Sequence, residues 1–162
     1  TGGTAVAGAE GKTTGKSETS KSNENGSGGK SEESSGGSSK RQPKSFEGLM
    51  AEAHKLQMRE KPEPALSDYE AAIELEPNNA EAWSGKGQCL FDLDQASQAE
   101  AAFNKALQLS PGFGEALLGL AEAQKAEGKK AAAIDTYKRY LRSNPAGSEA
   151  AMAQRAIKDL SE

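Results

Sequence analysis

From Phe46 to the end of the chain, apolar side chains recur at helical rather than strand spacing. In AEAWSGKGQCLFDL, residues 80–93, Trp83, Gly87 and Leu90 fall on one face; in AEAAFNKALQL, residues 99–109, Ala99, Phe103, Ala106 and Leu107 do the same. Both segments read as amphipathic helices. The link between them, Asp94-Gln95, is too short for anything but an antiparallel pair. The pattern then repeats. Pro77, Pro111 and Pro145 stand 34 residues apart, each after a residue (Glu76, Ser110, Asn144) that the proline biases out of helical geometry, so each stops a second helix.

Other positions keep the same step: Ala65, Ala99 and Ala133; Tyr69, Phe103 and Tyr137; Ala53, Gly87 and Ala121; Leu49, Trp83 and Leu117. A hairpin of two short helices cannot bury its own apolar face, so stacking is required. Small residues at Gly87 and Ala99 let backbones approach, and Phe103 fills the space against which the next hairpin stacks. This pattern resembles the tetratricopeptide repeat family, whose units are 34-residue helical hairpins. The match runs over residues 46–79, 80–113 and 114–147, with a capping helix at 148–160. Repeat 2 carries Trp83, Gly87, Ala99, Phe103, Ala106 and Pro111 in the family's order. Glu52 and Lys86 stand where Leu is usual, Pro62 where an aromatic is usual, and Tyr140 where a small residue is usual. Because the cap offers only Ala151 where earlier repeats have Leu or Trp, Tyr140 is expected to fill that volume by packing on Ala151 or its neighbours. The expected fold is all-α: a right-handed superhelical solenoid of three helical hairpins plus a capping helix.

Composition changes the picture only at the N-terminal end. Residues 1–45 hold ten Gly, ten Ser and no aromatic, with Val6 the one branched aliphatic. No burial there offsets the ordering entropy, so the segment reads as a disordered tail or linker. Its Gly11-Lys12-Thr13 and Gly15-Lys16-Ser17 look like the end of a phosphate-binding loop but lack the earlier glycine and the preceding strand. Lys40, Arg41 and Lys44 form a small basic cluster at the domain edge. The chain begins at Thr1 without a signal segment, which reads as a piece cut from a longer or processed protein. A cytoplasmic setting is expected, with the tail able to tether the domain to a membrane complex.

Residues 46–162 carry thirteen Lys or Arg against nineteen Asp or Glu, which disfavours nucleic acid as a partner. No apolar run approaches the roughly 20 residues needed to span a bilayer. A single cysteine rules out an intrachain disulfide and a cysteine-based metal cluster. His54 and Cys89 are each the only one of their kind and are not expected to meet, Cys89 reading as a core thiol. No catalytic residues, cofactor or metal site are therefore expected.

The family resemblance implies a groove lined by the first helices, where a peptide or helix of a partner protein binds. It places Glu47, Met50, Ala51, His54 and Met58 of repeat 1 there, with Glu81, Ser84, Gly85, Gln88 and Phe91 of repeat 2, Glu115, Leu118, Gly119 and Glu122 of repeat 3, and Met152 of the cap. Met50, Met58, Phe91, Leu118 and Met152 are the apolar anchor candidates. Ala51, Gly85, Gly119 and Ala153 form a row of small residues that a partner could approach closely. Glu47, Glu81, Glu115 and Glu149 form an acidic row that favours a basic or amphipathic segment, although the helix dipole also accounts for Glu at these N-termini. Family members that grip a carboxylate tail do so with Lys, Asn and Arg; Met50, His54, Gly85, Glu115 and Gly119 stand at those positions, so heat-shock chaperone tails are not expected partners. The regular Ala-rich repeats resemble bacterial scaffold and adaptor proteins. The expectation is a monomeric, non-catalytic interaction module; the alternative is a self-assembly element of a multiprotein machine that uses the uncapped N-terminal end.

Overall fold

The computed structural model describes residues 44–162, so the tail, its phosphate-loop look-alikes and the Lys40-Arg41 pair lie outside the described residues. The described residues form seven helices and no strand: α1 (Phe46–Gln57), α2 (Pro62–Leu75), α3 (Ala80–Asp92), α4 (Ala96–Leu109), α5 (Gly114–Ala126), α6 (Lys130–Ser143) and α7 (Ala150–Ser161). They pair as α1/α2, α3/α4 and α5/α6, each pair packing on the next, and α7 closes the stack on α6. This is the all-α solenoid that the 34-residue period predicts.

Local chemistry sets the helix ends. Ser45 Oγ accepts from Gly48 N–H at 3.2 Å, and Asn79 Oδ1 accepts from Ala82 N–H at 3.0 Å, so α1 and α3 begin on side-chain caps. Pro62 sits in the first turn of α2, where its missing N–H costs nothing. The turn inside each hairpin repeats as well: Glu60, Asp94 and Gly128 have φ of 55°, 59° and 74°. After them, the N–H groups of Lys61, Gln95 and Lys129 donate to the carbonyls of Leu56, Leu90 and Gln124 at 3.0, 2.9 and 2.8 Å. That six-to-one bond closes the first helix and reverses the chain in two residues.

The core lies in two clusters. Leu49, Met50, Ala53, Ala65, Tyr69, Ala72, Ala82 and Cys89 pack around the first hairpin, and a larger group centred on Phe103, Leu117, Leu120 and Tyr137 fills the rest. Leu66 packs against both and joins them. A polar network ties the last hairpin to α4: Thr136 Oγ1 donates to Gln124 Oε1 at 2.9 Å, and Gln124 Nε2 donates to Glu100 Oε1 at 3.2 Å. Lys129 Nζ pairs with Glu100 at 2.6 Å and with Glu127 at 2.9 Å.

Tyr140 shares a buried cluster with Ala153 of the cap rather than covering Ala151 itself. The ring is buried, as a volume-filling residue must be, but Ala151 is exposed. The phenol instead lies over Gly147, in the turn before α7, with its ring edge at Gly114. Both positions lack a Cβ, and the space this leaves admits the large side chain. The cap helix accordingly starts at Ala150 rather than 148, after a turn closed by Ala150 N–H donating to Gly147 O at 3.0 Å.

Candidate functional site

The site begins with a register between helices. Tyr69, Phe103 and Tyr137 each precede by 16 residues a small residue on the next hairpin's first helix: Gly85, Gly119 and Ala153. A methyl group on Gly85 would overlap the Tyr69 ring, and one on Gly119 would overlap the Phe103 ring. The aromatic rings therefore fill these positions from behind, as knobs in holes. The rings thus back the small row and account for glycine at these positions, while Gly85 and Gly119 still line the cleft in front of them.

In front of that seam lies an open cleft of about 380 Å³. From the first hairpin, His54 and Gln57 of α1 and Tyr69 of α2 line it. Glu81, Ser84, Gly85, Gln88 and Phe91 of α3 form the middle, and Glu115, Leu118, Gly119 and Glu122 of α5 the far wall. Half-buried Phe91 and Leu118 supply apolar surface. Glu81 and Glu115, each in the first turn of its helix, and Glu122 supply three carboxylates, while no Lys or Arg lines the cleft.

Hydrogen bonds hold the walls. Tyr69 donates its hydroxyl to Gln57 Oε1, and the His54 ring stands edge-on to the Tyr69 ring with centroids 5.7 Å apart. His54 Nε2 lies 3.5 Å from Glu81 Oε1. Tyr137 donates its hydroxyl to Glu122, which also pairs with Lys125 at 2.7 Å. Burial holds both phenol protons well above the usual tyrosine range, reinforced for Tyr69 by Cys89, Glu81 and Glu115, and for Tyr137 by the bond to Glu122. Gln88 donates to Asp92 Oδ1 at 2.8 Å on the rim.

Several expected lining residues lie elsewhere. Met50 is 7% exposed and belongs to the buried cluster with Ala53, Tyr69 and Ala82, so its thioether is core and not an anchor. Met58 is 88% exposed at the C-terminal cap of α1, beyond the cleft. Glu47 and Ala51 are exposed on α1, outside the cleft, which takes only the C-terminal half of that helix. Met152 faces a second, shallower cleft of about 330 Å³ with Glu122, Lys125, Arg155, Ala156, Asp159 and Leu160. Glu149 precedes α7 in the exposed turn. Gln57 and Tyr69 were not anticipated. Tyr69 reaches the cleft from a second helix, and the signal for it was the 16-residue offset to Gly85.

Cys89 is fully buried among Tyr69, Ala82 and Ala53, and burial, aided by Asp92, pushes its thiol up to about 12. Such a thiol is a poor nucleophile at neutral pH. Among the described residues, no three His, Cys, Asp or Glu side chains gather to hold a metal ion, and no helix is long and apolar enough to cross a membrane.

Two tetratricopeptide repeat family models match the chain, one over residues 50–112 and one over 94–157. Over 89 residues it is 35% identical to the probable UDP-N-acetylglucosamine--peptide N-acetylglucosaminyltransferase SPINDLY of Arabidopsis thaliana, a match covering 55% of this chain and 10% of that protein. The chain spans about a tenth of the length of the curated relatives it matches. Among solved structures, it superposes on the TPR2B domain of yeast Sti1, in a complex with pHsp70, with a TM-score of 0.69 at 24% identity, covering 72% of this chain and 95% of that one. The first TPR of Spaghetti (RPAP3), bound to the HSP90 peptide SRMEEVD, gives a TM-score of 0.67 at 22% identity, covering 72% of this chain and 90% of that one.

Proposed function

The chain belongs to the tetratricopeptide repeat family, and from that premise we propose that its cleft captures a segment of a partner protein, basic or amphipathic in character, without transforming it. The observation that carries this reading is the lining itself: Glu81 and Glu115 without a Lys or Arg partner, a third carboxylate, Glu122, held by Lys125, two half-buried apolar side chains, and no Lys or Arg lining the space. Desolvating those carboxylates is favourable only against cations. The relatives' described complexes support capture of a polypeptide in such a fold, but the chemistry here differs. The peptide bound to Spaghetti, SRMEEVD, has three acidic residues against one Arg. A peptide of that charge would meet like charge at Glu81 and Glu115. The module acts as a binding element within a larger protein or complex, in the manner of a scaffold or adaptor, and works as a monomer.

The test is titration of residues 46–162 with labelled synthetic peptides, one Lys/Leu-rich and one SRMEEVD. The basic peptide binds with an affinity in the range of about 1 to 100 μM, and the acidic one does not. Phe91→Ala and Leu118→Ala each weaken binding by about 1 to 4 kcal/mol while the helical signal persists. Tighter binding of the acidic peptide, or affinity indifferent to both substitutions, refutes the reading.

A further inference from the structure

The second cleft does not stand apart from the first. Glu122 of α5 lines both, so the two clefts adjoin at that residue. The chemistry changes there. On the α1 side the carboxylates without a Lys or Arg partner are Glu81 and Glu115, with His54 beside Glu81, while Glu122 is already paired with Lys125. On the α7 side Lys125 and Arg155 balance Glu122 and Asp159, and the floor is Met152, Ala156 and Leu160. These three are four residues apart and share one face of α7. Met152 keeps 36% of its surface exposed, an adaptable thioether left open at the end of a packed stack.

We infer that the captured segment is bipartite, a basic part lying on Glu81 and Glu115 followed or preceded by an apolar part that crosses Glu122 and seats on Met152, Ala156 and Leu160. This rests on the proposed capture of a basic segment and extends it in length and composition. Two features of the surface select this occupant. The acidic cleft rewards cations, whereas the α7 cleft has no net charge to offer and is predominantly apolar in its floor, so a uniformly basic peptide gains nothing by continuing onto it. The extent is also bounded. Neighbouring helices lie about 8 to 10 Å apart and an extended chain advances about 3.3 to 3.6 Å per residue, so crossing from α1 to α5 takes about six residues, and the apolar part lies beyond them on α7, which packs on α6. The Lys125–Glu122 ion pair at 2.7 Å marks the point where the occupant changes character.

The experiment compares four fluorescein-labelled synthetic peptides on the full chain by anisotropy: a Lys/Ala hexamer, a Leu/Ser tetramer, and the two joined in either order. One joined order binds about tenfold or more tighter than the hexamer. Met152→Ser, which adds no charge, removes that gain while the hexamer still binds; Glu115→Lys weakens both. Joined peptides no tighter than the hexamer, or a gain that survives Met152→Ser, overturn the inference while the acidic-cleft reading stands. No binding by any peptide sinks both. Helical circular dichroism of each variant, together with Ala151→Ser on the neighbouring exposed position as a control that retains the gain, separates loss of the seat from loss of α7.

Discussion

The ring of Phe103 fills the space that a side chain at Gly119 would need, and a methyl group added there would overlap Cζ. On its own hairpin, a methyl group at Gly87 would lie 2.8 Å from Phe103 Cδ1. A glycine in mid-helix costs about 0.5 to 1 kcal/mol relative to alanine, so these glycines persist against helix propensity. Overpacking a rigid aromatic costs about 1 to 3 kcal/mol, which exceeds the propensity gain. Gly119→Ala is therefore expected to lower stability by about 1 to 2 kcal/mol in urea unfolding. Phe103→Leu in the same chain should return part of that loss. Gly112→Ala, where the nearest atom would be Ser143 Cβ at 3.9 Å, should stay within about 0.5 kcal/mol. Equal stability of Gly119→Ala and the unaltered chain would mean that the seam is not tightly packed.

That seam also marks where reading the sequence stopped short. The 34-residue period was legible because proline stops, small residues and aromatic knobs each obey a local rule, and the hairpins followed from it. Periodicity gives the angle of a residue on its helix, but not what arrives from the neighbouring helix to cover it. Gly85 and Gly119 were recognisable as small, yet that a ring backs each of them depends on the register of the preceding hairpin. Met50 suffered the same ambiguity: its phase equals that of Leu118, but it is buried in the first cluster whereas Leu118 keeps surface on the cleft. The charge of the cleft was easier to read, since Glu81 and Glu115 repeat in phase and first-turn positions face outward.

Tyr140 controls the attachment of the cap. Its ring fills space left by Gly114 and Gly147, and α7 docks mainly on α6, the helix that carries it. Tyr140→Ala should leave a cavity costing about 3 to 5 kcal/mol, most of it at this end of the stack. Amide exchange then reads the locality: α7 amides lose protection first, while those around Tyr69 keep theirs. Gly147→Ala should act in the same direction by pressing on the Tyr140 hydroxyl. Uniform loss of protection through all seven helices would contradict a local role.

Cys89 sets an alkaline limit. Its thiol is held at about 12 in the fold, by burial first and the Asp92 charge second, whereas an unfolded cysteine titrates near about 8.5. The fold thus holds this proton more tightly than the unfolded chain does. The stabilisation is complete below about pH 8.5 and is lost as pH rises toward and through the folded value. Tyr69 and Tyr137 are shifted in the same direction, but their loss begins only above about pH 10. Between about pH 8.5 and 10 the decline therefore belongs to Cys89. Urea midpoints should fall over that interval in the unaltered chain and stay level in Cys89→Ala, a residue that the equivalent Ala123 already shows to fit. A parallel fall in both proteins would assign the effect elsewhere.

The first hairpin carries charge where its successors are buried. Lys55 stands in phase with Cys89 and Ala123, both fully buried beneath a preceding hairpin, yet its ammonium is exposed and pairs with Glu52 at 3.4 Å. Burying that exposed pair against another copy would cost its hydration with no partner of matched charge in view. Lys55 and Glu52 are thus expected to oppose further stacking, in the way charges protect exposed edges elsewhere. Sedimentation should report a monomer at about 100 μM, corresponding to an association weaker than about 5.5 kcal/mol. Replacing both charges, Glu52→Leu with Lys55→Ala, exposes an apolar face like the one buried at Cys89, and concentration-dependent association should appear in the same range. Dimers in the unaltered chain, or a double variant that stays monomeric throughout, would show that this pair does not govern the end of the stack.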